Sequence, residues 1–320
     1  MQLAALAEMT ADPTRQPHEP LSIAVTGATG LIGSALVPRL RAVGHTVRRL
    51  VRGEVHEPGD ISWDPSRDLL DRAALDGTDA VINLAGAPIA QRWTSAHKQL
   101  IRDSRIKSTA LIARTIAGSA RPPRILLSGS AIGIYGDRGD EALDESSEPG
   151  RNWLAQLARD WEHAAEPART AGARVVLLRT GIVLSTHGGA LAKLLPPFRL
   201  GAGGPLGSGS QWMSWITLDD QLRAMDHALR TTGLHGAVNL VAPNPVTNAA
   251  FADALGHALS RPALVPVPAF ALRLLFGEMA DATILASQRV SPTALLKSGF
   301  SFGQPSLEGA LRHELELPSA

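Results

Sequence analysis

Three glycines, Gly27, Gly30 and Gly33, recur at every third position in the stretch Ile23-Ala-Val-Thr-Gly-Ala-Thr-Gly-Leu-Ile-Gly33. Glycine at such a turn lets the backbone bend tightly and lets a phosphate approach it closely. The N–H groups of a helix beginning there point at the phosphate, and the helix dipole favours its charge. The chemistry implied is dinucleotide binding, with Gly27, Thr29, Gly30, Leu31, Ile32 and Gly33 as its contacts. The competing reading is a purely structural βα turn. Context favours the ligand: an apolar strand precedes the turn, and Leu31, Ile32, Ala35, Leu36 and Leu40 recur after it with helical spacing. Pro38 removes one hydrogen bond inside that helix, so a kink is expected, and Gly44-His45 reads as its stop.

A second group of candidates is basic. Residues 46–52 read as the next strand, ending at Arg52 with Arg48 and Arg49 before it. An acidic residue at this point would hold the ribose 2′-hydroxyl of NAD. A guanidinium instead matches a 2′-phosphate in charge and geometry. NADP is therefore expected. NAD stays open because Glu54 lies close by, and the arginines have a second reading as a solvated strand end.

The elements that must position these groups alternate. Residues 60–65 look like a short strand, with Asp60 and Ile61 as candidates for an adenine pocket. Residues 79–86 read as a buried strand ending in Asn83, Leu84, Ala85 and Gly86, a mostly small-residue end that permits close approach of a ligand. Residues 94–118 carry a long helical pattern whose Lys107 is a candidate for the cofactor side. A strand at 124–128 ends at Ser128, and Ser130 and Tyr135 follow before an acidic loop containing Glu141 and Glu145. A helix over 151–171 is weakened by Pro167, and residues 173–180 form another strand. Residues 196–209 are too rich in Gly and Pro for regular structure. Strands at 212–216 and 236–241 and helices opening at Asp219 and over 247–259 follow, then apolar helical patches in the tail. The fold class is α/β, a doubly wound parallel sheet of the Rossmann kind.

Composition narrows the function. The chain has 320 residues, a net charge of +1 and 44% hydrophobic residues. That charge gives no electrostatic case for nucleic acid or an anionic membrane surface. The chain has no cysteine, which removes disulfides and thiolate chemistry and fits a cytoplasmic setting. No apolar run approaches a membrane span. The first 20 residues make a poor signal peptide and read as a mobile arm. The ten histidines are scattered without metal-ligand spacing, so no metal is expected. Neither a nucleophile elbow nor a triphosphate-binding loop is expected.

Several strings together carry a resemblance: Thr26–Gly33, Trp63-Asp-Pro65, Asn83–Gly86, Ser128–Gly136, Trp161-Glu162, Leu178–Leu184, the 196–209 loop and Trp215–Asp220. The chain resembles the extended short-chain dehydrogenase/reductases, the group containing nucleotide-sugar epimerases, over about residues 21–315. The details look like an atypical branch of epimerase-family proteins. The resemblance implies a Rossmann domain over 21–180, and a smaller substrate lobe over 181–320 from which some elements return to the Rossmann core. It also implies a branch-specific segment from about residue 261.

It further implies a catalytic hydroxyl at Ser128 or Ser130, and a Tyr-x-x-x-Lys pair in the following helix. With Trp161-Glu162 fixing the register, those two positions fall near Leu154 and Ala158, neither of which can move a proton. The sole tyrosine, Tyr135, is followed four residues later by Gly139. Three readings stand. One is a reductase or epimerase-like enzyme on a small carbonyl or sugar-type substrate, with Tyr135, Glu141, Glu145 or water held by Ser130 as substitutes. Another is an NADPH-sensing protein that acts on a partner. The third is an unrelated use of the fold. Tyr135 is also open to a role as an aromatic wall beside nicotinamide, and the acidic loop to one as a solvated rim. A homodimer through helices 94–118 and 151–171 is expected by analogy alone.

Overall fold

A computed structural model describes residues 19–55 and 57–317. All but the last two residues of the expected N-terminal arm lie outside them. The main elements in chain order are β1 (Ser22–Thr26), α1 (Leu31–Ala42), β2 (Thr46–Val51), β3 (Ile61–Ser62), β4 (Ala80–Asn83), α2 (Ser95–Gly118) and β5 (Ile125–Ala131). Then come α3 (Trp153–His163), α4 (Glu166–Thr170), β6 (Arg174–Thr180), α5 (Gly189–Arg199), α6 (Leu218–Arg230) and β7 (Gly236–Leu240). The tail contributes α7 (Asn248–Ala258), α8 (Ala269–Phe276), α9 (Thr293–Lys297) and α10 (Leu307–Glu314).

The seven strands form one sheet in the order β7-β6-β5-β4-β1-β2-β3, every neighbouring pair parallel. Successive residues of each central strand point to opposite faces, and both faces are buried. Val25, Ile82, Leu127 and Val176 join Leu36 and Leu40 of α1 and Met225 of α6 in one core. Ala24, Val81, Leu126 and Val175 join Ile112 and Ile116 of α2 in the other. The strand order reverses between β1 and β4, and such a switch point opens a crevice at the carboxyl ends of the strands. A third cluster unites Leu191, Leu195, Phe198, Trp215, Phe251, Leu255 and Leu311 from α5, α7, α10 and the short strand Trp215–Thr217.

Local chemistry sets several boundaries. Asn152 caps α3 by accepting from the Ala155 N–H at 2.8 Å, and Thr217 caps α6 from Asp220 N–H at 3.1 Å. Each such cap contributes about 1 kcal/mol. α1 runs unbroken through Pro38, whose ring is exposed, and ends where Gly44 adopts φ +92°. The predicted helix over 151–171 is two helices, because the chain leaves α3 at Ala164 and restarts with Pro167 in the first turn of α4. The predicted irregular stretch from Pro196 is corrected too: α5 continues through Pro196 and Pro197 to Arg199. Burial of Leu191, Leu195 and Phe198 outweighs the two hydrogen bonds the prolines forfeit. The predicted strand over 212–216 divides at Ser214 into two short strands with different partners.

Candidate functional site

The three glycines of the turn do three different jobs. Gly27 has φ +66°, and a Cβ there would lie 2.6 Å from the Leu84 carbonyl oxygen. A Cβ at Gly33 would lie 2.2 Å from the Gly27 carbonyl oxygen. These two are therefore required by the protein's own packing. Gly30 is exposed, and a Cβ there would meet only the Gly27 carbonyl oxygen, at 3.4 Å. Gly30 is also the N-cap of α1 and supplies no side-chain hydrogen bond; the first turn holds no acid. The N–H groups of Leu31, Ile32 and Gly33 have no acceptor further back in the helix. A phosphate fits this cradle by chemistry and by space, with exposed Thr29 beside it.

β4 is drawn against this turn by buried side chains. Thr26 Oγ1 donates to Asn83 Oδ1 at 2.7 Å and accepts from the N–H groups of Leu84 (3.0 Å) and Ala85 (3.1 Å). Asn83 Nδ2 donates to Thr109 Oγ1 at 2.8 Å. The Asn83 amide is thus fully buried and engaged within the protein. The surface beside the turn comes from half-buried Leu84 and Ala85 and exposed Gly86.

The arginines separate. Arg48 donates to the carbonyls of Gly59 and Ala74. Arg49 is held by Asp60, at 2.6 Å, and by Glu57. The hydrogen bond and charge of Arg49 keep the Asp60 carboxyl below the usual range against the opposing effect of burial. Asp60 is thus paired with Arg49, and Ile61 is a core residue. Arg52 is exposed just past β2, and the register Val25↔Arg49 places it level with the turn. Lys107 is not brought to the crevice. It is exposed and paired with Asp103 at 2.8 Å, while Ser104 and Thr109 make the contacts toward β4 and the segment after it.

At the ends of β5 and β6 a second group assembles. Ser130 Oγ donates to Glu162 Oε1 at 2.6 Å. Arg179 grips the same carboxylate through Nε (2.8 Å) and Nη2 (3.0 Å). Its Nη1 donates to the Tyr135 hydroxyl at 3.0 Å, which in turn donates to Asn239 Oδ1 at 2.8 Å. Burial pushes Arg179 down, but the hydrogen bond and charge of Glu162 hold it above its ordinary value. Burial pushes the Tyr135 phenol up. Tyr135 is 0% exposed, so it forms no open wall of the crevice. Ser128 Oγ is buried without a hydrogen-bond partner among the described residues.

The other substitutes are engaged within the protein. Glu141 pairs with Arg138 on the surface. Glu145 accepts from the N–H groups of Asn239 and Ala294. Leu154 and Ala158 are buried, with Leu154 packed over Gly133. Glu162 and Arg179 were missed as members of the site. The available signal was an arginine inside the apolar strand Arg174-Val-Val-Leu-Leu-Arg-Thr180, since a buried guanidinium needs a carboxylate.

The string Gly299-Phe-Ser-Phe-Gly303 does have elbow spacing, against the expectation of none. It lies in irregular chain after α9 with Ser301 exposed, not on a strand-to-helix turn. No group of three or more metal-ligating side chains occurs among the described residues. No described helix is long and apolar enough to cross a membrane.

Comparison with known proteins agrees with this fold. A model described as the NAD dependent epimerase/dehydratase family matches residues 23–241, and a domain of unknown function (DUF1731) matches residues 267–314. The epimerase family protein Mb2239 of Mycobacterium bovis is 45% identical over 297 residues, covering 92% of this chain and 98% of that protein. A homologue of epimerase family protein SDR39U1 from Arabidopsis thaliana, described as chloroplastic, is 40% identical, covering 93% of this chain and 87% of that protein. The crystal structure of human epimerase family protein SDR39U1 with NADPH aligns with a TM-score of 0.85 at 35% identity, covering 92% of this chain and 99% of that one. The chain belongs to the NAD dependent epimerase/dehydratase family.

Proposed function

We propose that this protein is an NADP(H)-dependent oxidoreductase or epimerase-like enzyme acting on a small carbonyl or sugar-type molecule without a Tyr-x-x-x-Lys pair. The observation that carries it is the open, uncapped start of α1 at the switch point, with Arg52 exposed alongside. The N–H groups of Leu31, Ile32 and Gly33 would hold the pyrophosphate, and Arg52 the 2′-phosphate. The human relative crystallised with NADPH supports the choice of cofactor. When bound, NADPH supplies a hydride and NADP accepts one. Residues 181–320 serve as the substrate lobe in this reading, and the cytoplasm is its setting.

The proton falls to Ser130 and Glu162. The Ser130 proton points at Glu162, so its lone pairs face away from the carboxylate. That arrangement accepts a hydrogen bond from a substrate hydroxyl, and a proton taken there passes on to Glu162 Oε1. Such assistance contributes about 10²–10⁴-fold when well placed.

A second reading has its own observation. The positions where the family pattern sets its acid and base hold buried Leu154 and Ala158. A protein that binds NADPH and passes that state to a partner needs neither. Calorimetric titration with NADPH and NADH, followed by a panel of aldehydes, ketones and nucleotide sugars, separates the two. NADPH binding tighter than NADH with cofactor turnover on a panel member is expected. Binding without any turnover supports the sensor, and binding of neither cofactor overturns both readings.

A further inference from the structure

Three arginines drawn into the protein around the sheet are satisfied in different ways. Arg179 has Glu162. Arg174 fills both terminal nitrogens with the carbonyls of Ala228, Leu229 and Leu234 at 2.7–2.9 Å. Arg105 does neither. Its Nη1 donates to the carbonyls of Ala87 (3.1 Å) and Ile101 (3.2 Å), while Nε and Nη2 make no hydrogen bond among the described residues. No carboxylate pairs with it among the described residues, and burial pushes it down to about 10, so it is a cation at neutral pH.

Its position is at the ligand end of the sheet. A Cβ at Gly86, just past β4, would lie 3.1 Å from the Arg105 Cζ. The guanidinium rests 5.2 Å from the ring centre of Trp161. Trp161 is fixed by its Nε1 hydrogen bond to Thr109 Oγ1 at 2.9 Å. The same indole borders Gly129, where a Cβ would lie 2.9 Å from its Cζ2. Gly129 stands between Ser128 and Ser130, so one rigid ring separates the cation from the two hydroxyls.

A guanidinium partly withdrawn from water without a counter-charge is costly, and an anion relieves that cost. The free Nε and Nη2 form one edge of the planar fork, which matches two oxygens of a carboxylate or phosphate. We propose that Arg105 is an anion-recognition residue of the crevice, taking a carboxylate or phosphate of the substrate on that edge. The proposal rests on the oxidoreductase reading for the word substrate. The cofactor carries the same chemistry in its pyrophosphate, and the test distinguishes the two sources.

Oxalate and inorganic phosphate, as probes, are titrated into the whole protein with and without saturating NADPH. In R105M, probe affinity should fall roughly tenfold or more, while NADPH affinity stays within about twofold. R105K keeps the charge but loses the fork, and should give an intermediate loss. If R105M does not fold, as judged by thermal unfolding, R105K carries the test. Unchanged probe affinity in the variant overturns the proposal. So does a roughly tenfold loss of NADPH affinity, which would assign the anion to the cofactor. Failure of NADPH to bind the wild-type protein overturns the functional reading instead, and leaves the cofactor-free titration to decide Arg105.

Discussion

The two ends of the crevice are built on different principles. At the start of α1 the functional atoms belong to the backbone, and side chains matter chiefly by their absence at Gly27, Gly30 and Gly33. At the ends of β5 and β6 the atoms belong to side chains that hold one another: Ser130, Glu162, Arg179, Tyr135 and Asn239. The first design tolerates an empty site, because the N–H groups at a helix start can be satisfied by water. The second cannot lose a member without leaving a buried group unpaired. Substitutions at the turn should therefore divide cleanly into binding and folding effects. Those in the network should disturb folding first.

The largest expected effect tests that contrast directly. Arg179→Met leaves Glu162 without its cation in a site where the two side chains are 11% and 9% exposed. Removal of one partner of a buried pair costs about 3–5 kcal/mol. Urea unfolding measures it. A loss under about 1 kcal/mol would mean that the network behaves like a surface ion pair and the contrast fails.

The next effect belongs to the turn end and should leave stability alone. Arg52→Ala should cost about 1.5–3 kcal/mol of the preference for NADPH over NADH, the usual worth of a hydrogen bond to a charged group. NADH affinity and urea midpoint should be unchanged. The reason for choosing Arg52 is structural: Arg48 and Arg49 are already engaged by Gly59, Ala74, Asp60 and Glu57. An undiminished preference in the variant would return the assignment to one of them.

The difference between the ends also explains what the sequence revealed. The turn was legible because it is local. Strand, glycines and helix follow each other within residues 22–42, and the identity of each glycine reports a close approach. The parallel sheet followed from alternation of apolar runs with helical patterns. The network was not legible, because Glu162 and Arg179 are 17 residues apart and meet only after α3 docks beside β6. The pairing of Asp60 with Arg49 was hidden for the same reason, since only strand pairing brings the two together. Lys107 lies on a helix whose buried face was read from apolar residues, although Ser108 and Thr109 define it as much as Ile112 does. Pro196 and Pro197 were read as breakers by intrinsic preference, and tertiary burial won.

Within the turn itself, Gly33→Ala and Gly30→Ala sharpen the comparison. The first places a Cβ 2.2 Å from the Gly27 carbonyl oxygen. Overpacking of this kind costs about 1–3 kcal/mol. The second makes only an ordinary contact with the Gly27 carbonyl oxygen at 3.4 Å, and stability should shift by less than about 0.5 kcal/mol. NADPH affinity should nevertheless fall in Gly30→Ala, because the methyl group stands where the phosphate approaches. Equal stability losses in both variants would show that the turn has no open position. Wild-type affinity in Gly30→Ala would move the phosphate elsewhere.

Tyr135→Phe is expected to leave turnover almost unmoved, and it bears on catalysis. The hydroxyl donates to Asn239 Oδ1 and accepts from Arg179 Nη1. Arg179 Nη1 keeps the Glu145 carbonyl at 3.3 Å when the hydroxyl is gone. Asn239 keeps the Ser291 carbonyl through its Nδ2. The ring remains in its packed place but buried Asn239 Oδ1 loses its donor, so the loss should be about 1–3 kcal/mol. Turnover is a separate question. A proton donor must reach the reacting atom, and this phenol is 0% exposed with both hydrogen bonds directed into the protein. Burial raises its pKa, so it is a neutral phenol across the physiological range and adds no ionisation to the pH–rate profile. Turnover of any substrate found on the panel should therefore change by less than about twofold in Tyr135→Phe, with the pH profile unmoved. A fall of about 10²-fold with NADPH affinity retained would make Tyr135 the acid after all. It would also require the segment around Ile132–Tyr135 to open in the reacting complex, and the two ends of the crevice would then differ in mobility as well as in design.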